Sequence, residues 1–129
     1  MPNRAEIELL LTMARKDLKA LSGMTDADIF AEEIFGFHAQ QAIEKALKAW
    51  LAWLDVEYPR THDLSLLLSL LQAREADIAP FEDLIEYTPY AVQLRYEAFD
   101  ALAEPLDRLE TIRRVCQVVE HVCALCAAD

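Results

Sequence analysis

Two side chains near the C-terminus, Arg114 and His121, lie seven residues apart. On a helix that separation is two turns, so both project from the same edge. Histidine moves protons near neutral pH, and arginine is a fixed cation suited to a phosphorane. Metal-independent RNA cleavage needs those two groups. One moves the 2′-hydroxyl or leaving-group proton, and the other holds the charge that develops on phosphorus. The plainer alternative is two solvated side chains on an exposed face, because so loose a spacing recurs in many helices.

Other residues carry chemistry less sharply. Cys123-x2-Cys126 with Cys116 has the elements of a zinc site, but zinc takes four converging ligands, and His121 faces away from the cysteine stripe. Core packing is the expected role of these thiols, and no metal or cofactor is expected. His62, within Arg60-Thr61-His62-Asp63, precedes a helix. It is placed either to hold an anion at the helix N-terminus or to make a local cap contact. His38 reads as a polar-face residue. The acidic pairs Glu32-Glu33 and Glu82-Asp83 point about 100° apart on a helix, so neither converges on one point. Arg95-Tyr96 joins a cation to an aromatic ring, able to hold phosphate and stack on a base, or else to anchor a loop.

Composition narrows the classes. The 129 residues fit one domain spanning 1–129, and the only two glycines, Gly23 and Gly36, exclude a glycine-rich phosphate loop or dinucleotide fingerprint. Twelve basic against 23 acidic residues give a net charge of −11, which disfavours an extended nucleic-acid or anionic-membrane footprint. No apolar run approaches the roughly 20 residues that cross a bilayer. The opening residues are interrupted by Glu6 and Glu8 and lack the apolar region of a signal peptide, so a cytoplasmic location is expected.

The elements that must position these groups are helical. Apolar residues Ile7, Leu10, Leu11, Ala14, Leu18 and Leu21 predict a first helix over Ala5–Leu21, closed by Gly23 as a left-handed cap. After a turn at Thr25–Asp28, a long central helix is expected from about Ile29 until Tyr58-Pro59 stops it. One face of it carries Ile34, Phe37, Ile43, Leu47, Trp50, Leu51 and Leu54. Gln40, Glu44, Lys45 and Lys48 fill the other, with Glu44 and Lys48 at the favourable i,i+4 spacing. A third helix starts after Thr61 or Asp63, a short fourth surrounds Phe81, Leu84 and Ile85, and Tyr87–Tyr90 reads as irregular chain. The last helix runs from about Pro105. The fold class is all-α, an up-and-down bundle of four to five helices.

In the last helix Leu109, Ile112, Cys116, Val119, Cys123 and Cys126 form one stripe, which Val115, Val118, Val122 and Leu125 widen to roughly 200°. Packing on one side of a bundle uses about half that width, so a homodimer interface is expected, with Arg114 and His121 at the rim of its cleft.

Gln40-Gln41-Ala42-x-Glu44-Lys45-x-Leu47-Lys48-Ala49-x-Leu51 resembles the second-helix signature of HEPN domains, which are small all-helical proteins. Thr61-His62-Asp63-Leu64, Leu94-Arg95-Tyr96 and the long closing helix follow in the family's order. Glu97 stands where relatives usually have proline, and Val115 where a polar residue often follows the arginine. The resemblance implies a five-helix bundle that usually dimerises and works with a separate minimal nucleotidyltransferase, as its toxin-like or substrate-binding subunit. The paired-aspartate motif of the transferase itself is absent from this chain. Some relatives are metal-independent ribonucleases with an Arg-x4-6-His motif at the dimer cleft, whose outer limit Arg114 and His121 meet. The family's proposed nucleotide binding implies Arg95, Tyr96 and His62 as candidates here. Two competing readings remain: a ribonuclease that uses Arg114 and His121, and a catalytically inert module that binds a nucleotide or a protein.

Overall fold

Residues 32–53 hold ten buried apolar side chains, five of them alanine, and alanine lets neighbouring backbones approach closely. A helix that is apolar on most of its circumference is stable only when surrounded. The computed structural model, which describes residues 2–91 and 104–127, shows that arrangement. α1 (Arg4–Ser22), α3 (Leu64–Ala73), a 3-10 helix (Ala79–Tyr87) and α4 (Arg108–Ala127) all pack on the central α2 (Glu32–Trp53). The described residues contain no strand, and no helix among them is long and apolar enough to cross a membrane. The all-helical bundle read from the periodicities is present.

Its boundaries differ from expectation for local reasons. α2 begins at Glu32, not Ile29, because Asp26 closes a separate turn. The Asp26 carboxylate accepts from the Asp28 amide at 2.9 Å, and its carbonyl accepts from Phe30 at 2.9 Å. α2 ends at Trp53, before Tyr58-Pro59 is reached. Asp55 turns left-handed there (φ 59°), and the amides of Asp55 and Val56 bond back to the carbonyls of Ala52 and Leu51. This is a full Schellman closure. α3 ends the same way, with Glu75 left-handed (φ 63°) and the Ala76 amide bonded to Leu71 at 3.1 Å. Gly23, the residue expected in that conformation, instead has φ −91°.

Gly36 is used for space. A Cβ built on it lies 1.9 Å from the nearest atom of the Tyr90 ring, so the ring packs directly on the α2 backbone.

Two predicted faces are rotated. On α2, Ile34 is 37% exposed, whereas Gln40 and Glu44, expected at the surface, are buried. On α4 the buried line is Thr111, Val115, Val118, Val119, Val122 and Cys126, and Leu109, expected on the stripe, is 73% exposed. The shift follows from Arg108, one residue before Leu109. Its guanidinium lies over the Phe35 ring at 4.7 Å and donates to the carbonyls of Met24 at 2.8 Å and Phe30 at 2.7 Å. It thereby fixes the rotation of α4 against the α1–α2 turn.

Opposite substitutions test these assignments. Glu75→Gly relieves a left-handed residue and should stabilise the fold by about 0.5–1 kcal/mol, after the entropy of the added glycine. Gly36→Ala gains up to about 1 kcal/mol of helix propensity but must displace Tyr90, so a net loss of about 1–3 kcal/mol is expected. Urea unfolding monitored by circular dichroism reads both, and a stabilised Gly36→Ala would sink the packing argument.

Candidate functional site

α4 presents Arg114, Gln117 and His121 at three- and four-residue steps along the edge facing the 3-10 helix. Arg113, Arg114 and Gln117 line a cavity of about 110 Å3 with Phe81, Asp83 and Leu84 of that helix opposite. The Arg114 Nη1 donates to the Glu86 carboxylate at 2.7 Å, and its Nε lies 3.6 Å from Glu110. Burial alone would lower the Arg114 pKa, but Tyr87 and Glu86 hold it above its ordinary value. The Tyr87 hydroxyl is buried against the Thr111 hydroxyl at 2.9 Å, and that burial pushes its pKa up. Beyond Arg114 a second cavity of about 300 Å3 is walled by Glu86, Glu104, Asp107 and Glu110.

His121 is exposed, yet its ring packs on Trp50 (centroids 4.9 Å apart) and Phe81 (5.1 Å). Phe81 therefore both lines the smaller cavity and supports the imidazole. Arg114 lines the smaller cavity, and His121 relates to it through Phe81, against whose ring the imidazole lies tilted at 56°. The arrangement can do two things: bind an anion at Arg114, and offer an imidazole for proton transfer.

His62 belongs to a different cluster. Its Nδ1–H donates to Glu44 Oε1 at 2.7 Å, while Gln40 donates both to Glu44 at 2.9 Å and to the His62 carbonyl at 3.2 Å. Gln41 donates to Gln40 at 2.7 Å, and Lys48 reaches the other Glu44 oxygen at 3.0 Å. Burial alone would raise the pKa of Glu44, but the hydrogen bonds from Gln40, His62 and Lys48 outweigh it and hold the carboxyl below its usual range. With its side chain 60% exposed, His62 clasps the α2–α3 connection to α2. A third polar junction ties α1 to α2, where Asp17 accepts from Lys45 at 2.8 Å and from His38 at 3.0 Å.

Arg95 and Tyr96 lie outside the described residues. No disulfide joins the three cysteines; Cys126 is buried and Cys116 and Cys123 are partly so. Of the acidic pairs, Glu32 binds the Leu106 amide and approaches Arg108 at 3.6 Å, and Asp83 lines the cavity.

Sequence reasoning missed Gln117, although its position three residues after Arg114 was there to read. It also missed Glu86 and the aromatic support of His121, which come from a distant segment and leave no local signal.

A family model described as the HEPN domain matches residues 7–128. The chain belongs to the HEPN family. No curated protein and no solved structure matches it. Gln40, Gln41, Glu44 and Lys48, the second-helix residues on which the resemblance rests, all take part in the hydrogen-bond network around Glu44 in this HEPN domain.

Because the folded-state pKa of Glu44 is depressed, its stabilisation is complete above the ordinary carboxylate range of about 4.3 and is lost as pH falls through the folded value. Glu44→Gln should therefore lose about 2 kcal/mol at neutral pH and show a shallower stability loss on acidification from neutral pH to about pH 3, below the ordinary carboxylate range. Urea midpoints at the two pH values measure this, and parallel acid limbs for variant and wild type would contradict the network.

Proposed function

We propose that this HEPN-domain protein is the toxin-like or substrate-binding subunit of a two-component pair whose other member is a separate minimal nucleotidyltransferase. Family membership supports a partnered role. The observation that carries the choice over a free-standing RNA enzyme is the state of Arg114. Its guanidinium faces Glu86 and Glu110, in a chain of net charge −11, so a phosphate meets carboxylates at the one place where a cation was selected. Such a surface favours a protein partner over nonspecific RNA. We also propose a homodimer, for which the exposure of Leu109 and the partial exposure of Ile112 and Cys116 leave an apolar strip on α4.

The second reading, a metal-independent ribonuclease, is supported by Arg114 and His121 sharing one edge of α4, with Arg114 in the cavity that Phe81 lines and His121 against the Phe81 ring. In it His121 moves the 2′-hydroxyl or leaving-group proton and Arg114 stabilises the phosphorane. The inert binding module remains the outcome if neither test below is positive.

Sedimentation of the purified chain with a purified minimal nucleotidyltransferase should show a hetero-complex at micromolar concentration, and the chain alone should sediment as a dimer. Separate boundaries overturn the pairing, and a monomer overturns the α4 interface. For the ribonuclease reading, RNA cleavage is followed with and without EDTA. His121→Ala uncovers Trp50 and Phe81, so His121→Phe is the sharper variant. It keeps an aromatic ring on the stack and removes the proton carrier. Cleavage that survives EDTA but drops about 100-fold or more in His121→Phe would establish the enzyme. Equal cleavage in both proteins would remove His121 from the chemistry.

A further inference from the structure

Between Leu9 and Ser22 the only acidic residue on α1 is Asp17, and it is turned inward. Its carboxylate accepts from Lys45 at 2.8 Å and from His38 at 3.0 Å, both on α2. Arg15, Lys16 and Lys19 stand on the outer side of the same stretch and are exposed. None of the three forms an ion pair among the described residues, and Arg15 reaches the Cys123 thiol on α4 instead. Arg15 and Lys19 are four residues apart, and Lys16 and Lys19 three, so they crowd one face and repel one another. Lys19 complements the carbonyl end of α1 from its last turn, but Arg15 and Lys16 lie before that turn, beyond the reach of the effect. In a chain of net charge −11, three neighbouring cations without an acid are a surface that the fold itself does not use.

The same face continues into apolar side chains. Leu9 is 62% exposed and Met13 38%, and with Lys16 and Ala20 they follow at steps of four, three and four along one side of α1. α1 packs on α2 and α4 with its opposite side, where Ile7, Leu11, Ala14 and Leu21 are buried. An exposed leucine and methionine one turn apart can anchor a partner segment, and the flexible thioether adapts to the shape it meets. The apolar pair lies in the N-terminal half of the helix and the cations in the C-terminal half. Their complement is a segment with apolar side chains at one end and carboxylates at the other. A phosphate backbone makes no use of the leucine and methionine, and two apolar side chains on so acidic a chain do not hold an anionic membrane.

We propose that the outer face of α1 is where the second protein of the two-component pair docks, through a segment that sets apolar side chains on Leu9 and Met13 and carboxylates on Arg15, Lys16 and Lys19. The inference rests on the two-component reading and adds to it the docking surface and the chemistry of the partner segment. None of these five residues lines the cavities beside Arg114, so the surface is separate from the candidate site on α4. The cations steer the encounter and set its salt dependence, while the apolar pair sets how long the complex lasts.

Titration calorimetry of a purified minimal nucleotidyltransferase into the full chain tests it. Lys16→Gln/Lys19→Gln keeps good helix formers and removes two charges. This variant should bind about 5- to 20-fold more weakly than wild type and lose less affinity as salt is raised. Arg60→Gln/Arg74→Gln makes the same change of net charge at exposed positions off α1 and should change affinity less than about twofold. Leu9→Ser leaves the charge alone and should weaken binding about 10-fold. Circular dichroism confirms that all three variants fold. Undiminished binding by either α1 variant overturns this surface and leaves the pairing standing, and an equal loss in Arg60→Gln/Arg74→Gln overturns it as well. No binding by wild type overturns the two-component reading and this surface with it. Sedimentation of Leu9→Ser alone completes the test, since a shift from the wild-type oligomeric state would assign the face to a second copy and overturn the proposal.

Discussion

The whole bundle depends on how α2 is allowed to be buried. A helix surrounded on nearly every side has to dispose of its polar residues inside the protein, and here Gln40 has no exposed surface and Glu44 only 5%. An ionised carboxylate in that position is tolerated only when its oxygens are occupied, and removing one partner from such a group costs about 3–5 kcal/mol. Three donors meet the requirement: one from the helix turn before (Gln40), one from the turn after (Lys48), and one from the α2–α3 connection (His62). The third matters most for the fold, because it converts a local hydrogen-bond problem on α2 into a fixed position for the chain entering α3.

Gly36, Gln40, Glu44 and Lys48 recur every fourth residue, so they form one ridge along α2. Tyr90 covers the first, the His62 segment covers the middle two, and the Tyr58 ring lies 5.7 Å from the Lys48 ammonium. The ridge is a seam where connecting segments, not helices, close the core. Arg108 plays the matching part at the other end of the fold. It is a buried cation that binds two backbone carbonyls and so joins α4 to the α1–α2 turn. Helix orientation in this protein is therefore set by a few buried polar groups, laid over an apolar core that by itself would permit several rotations.

That division explains what could be read in advance. Helix number and type followed from apolar periodicity, because Ile7, Leu11 and Ala14, or Val115 and Val122, recur at spacings that only a helix places on one side. The rotation of α2 and α4 did not follow. Hydrophobicity ranks Leu109 above Arg108 and Ile34 above Gln40, and nothing local reveals that distant carbonyls or an imidazole are waiting for the polar partner. The end of α2 was read from Tyr58-Pro59, whereas the left-handed Asp55 closes that helix first, and Gly23, read as a left-handed cap of α1, does not adopt that conformation. At the candidate site, Arg114 and His121 were legible as a pair on one helical edge. Glu86 was not, since its relation to Arg114 spans 28 residues and exists only once the 3-10 helix has docked.

The ring contact of His121 with Trp50 gives the protein an optical reporter beside its own cleft. An indole with 3% exposure and an imidazole in ring contact emits differently when that imidazole is charged, displaced or covered. Trp53 is the only other tryptophan and lies one turn further along α2, so the emission of a Trp53→Phe protein comes from the residue beneath His121 alone. Occupancy of the cleft, its protonation and any rearrangement of the 3-10 helix that carries Phe81 can then be followed in unlabelled protein, on the timescale of stopped-flow mixing.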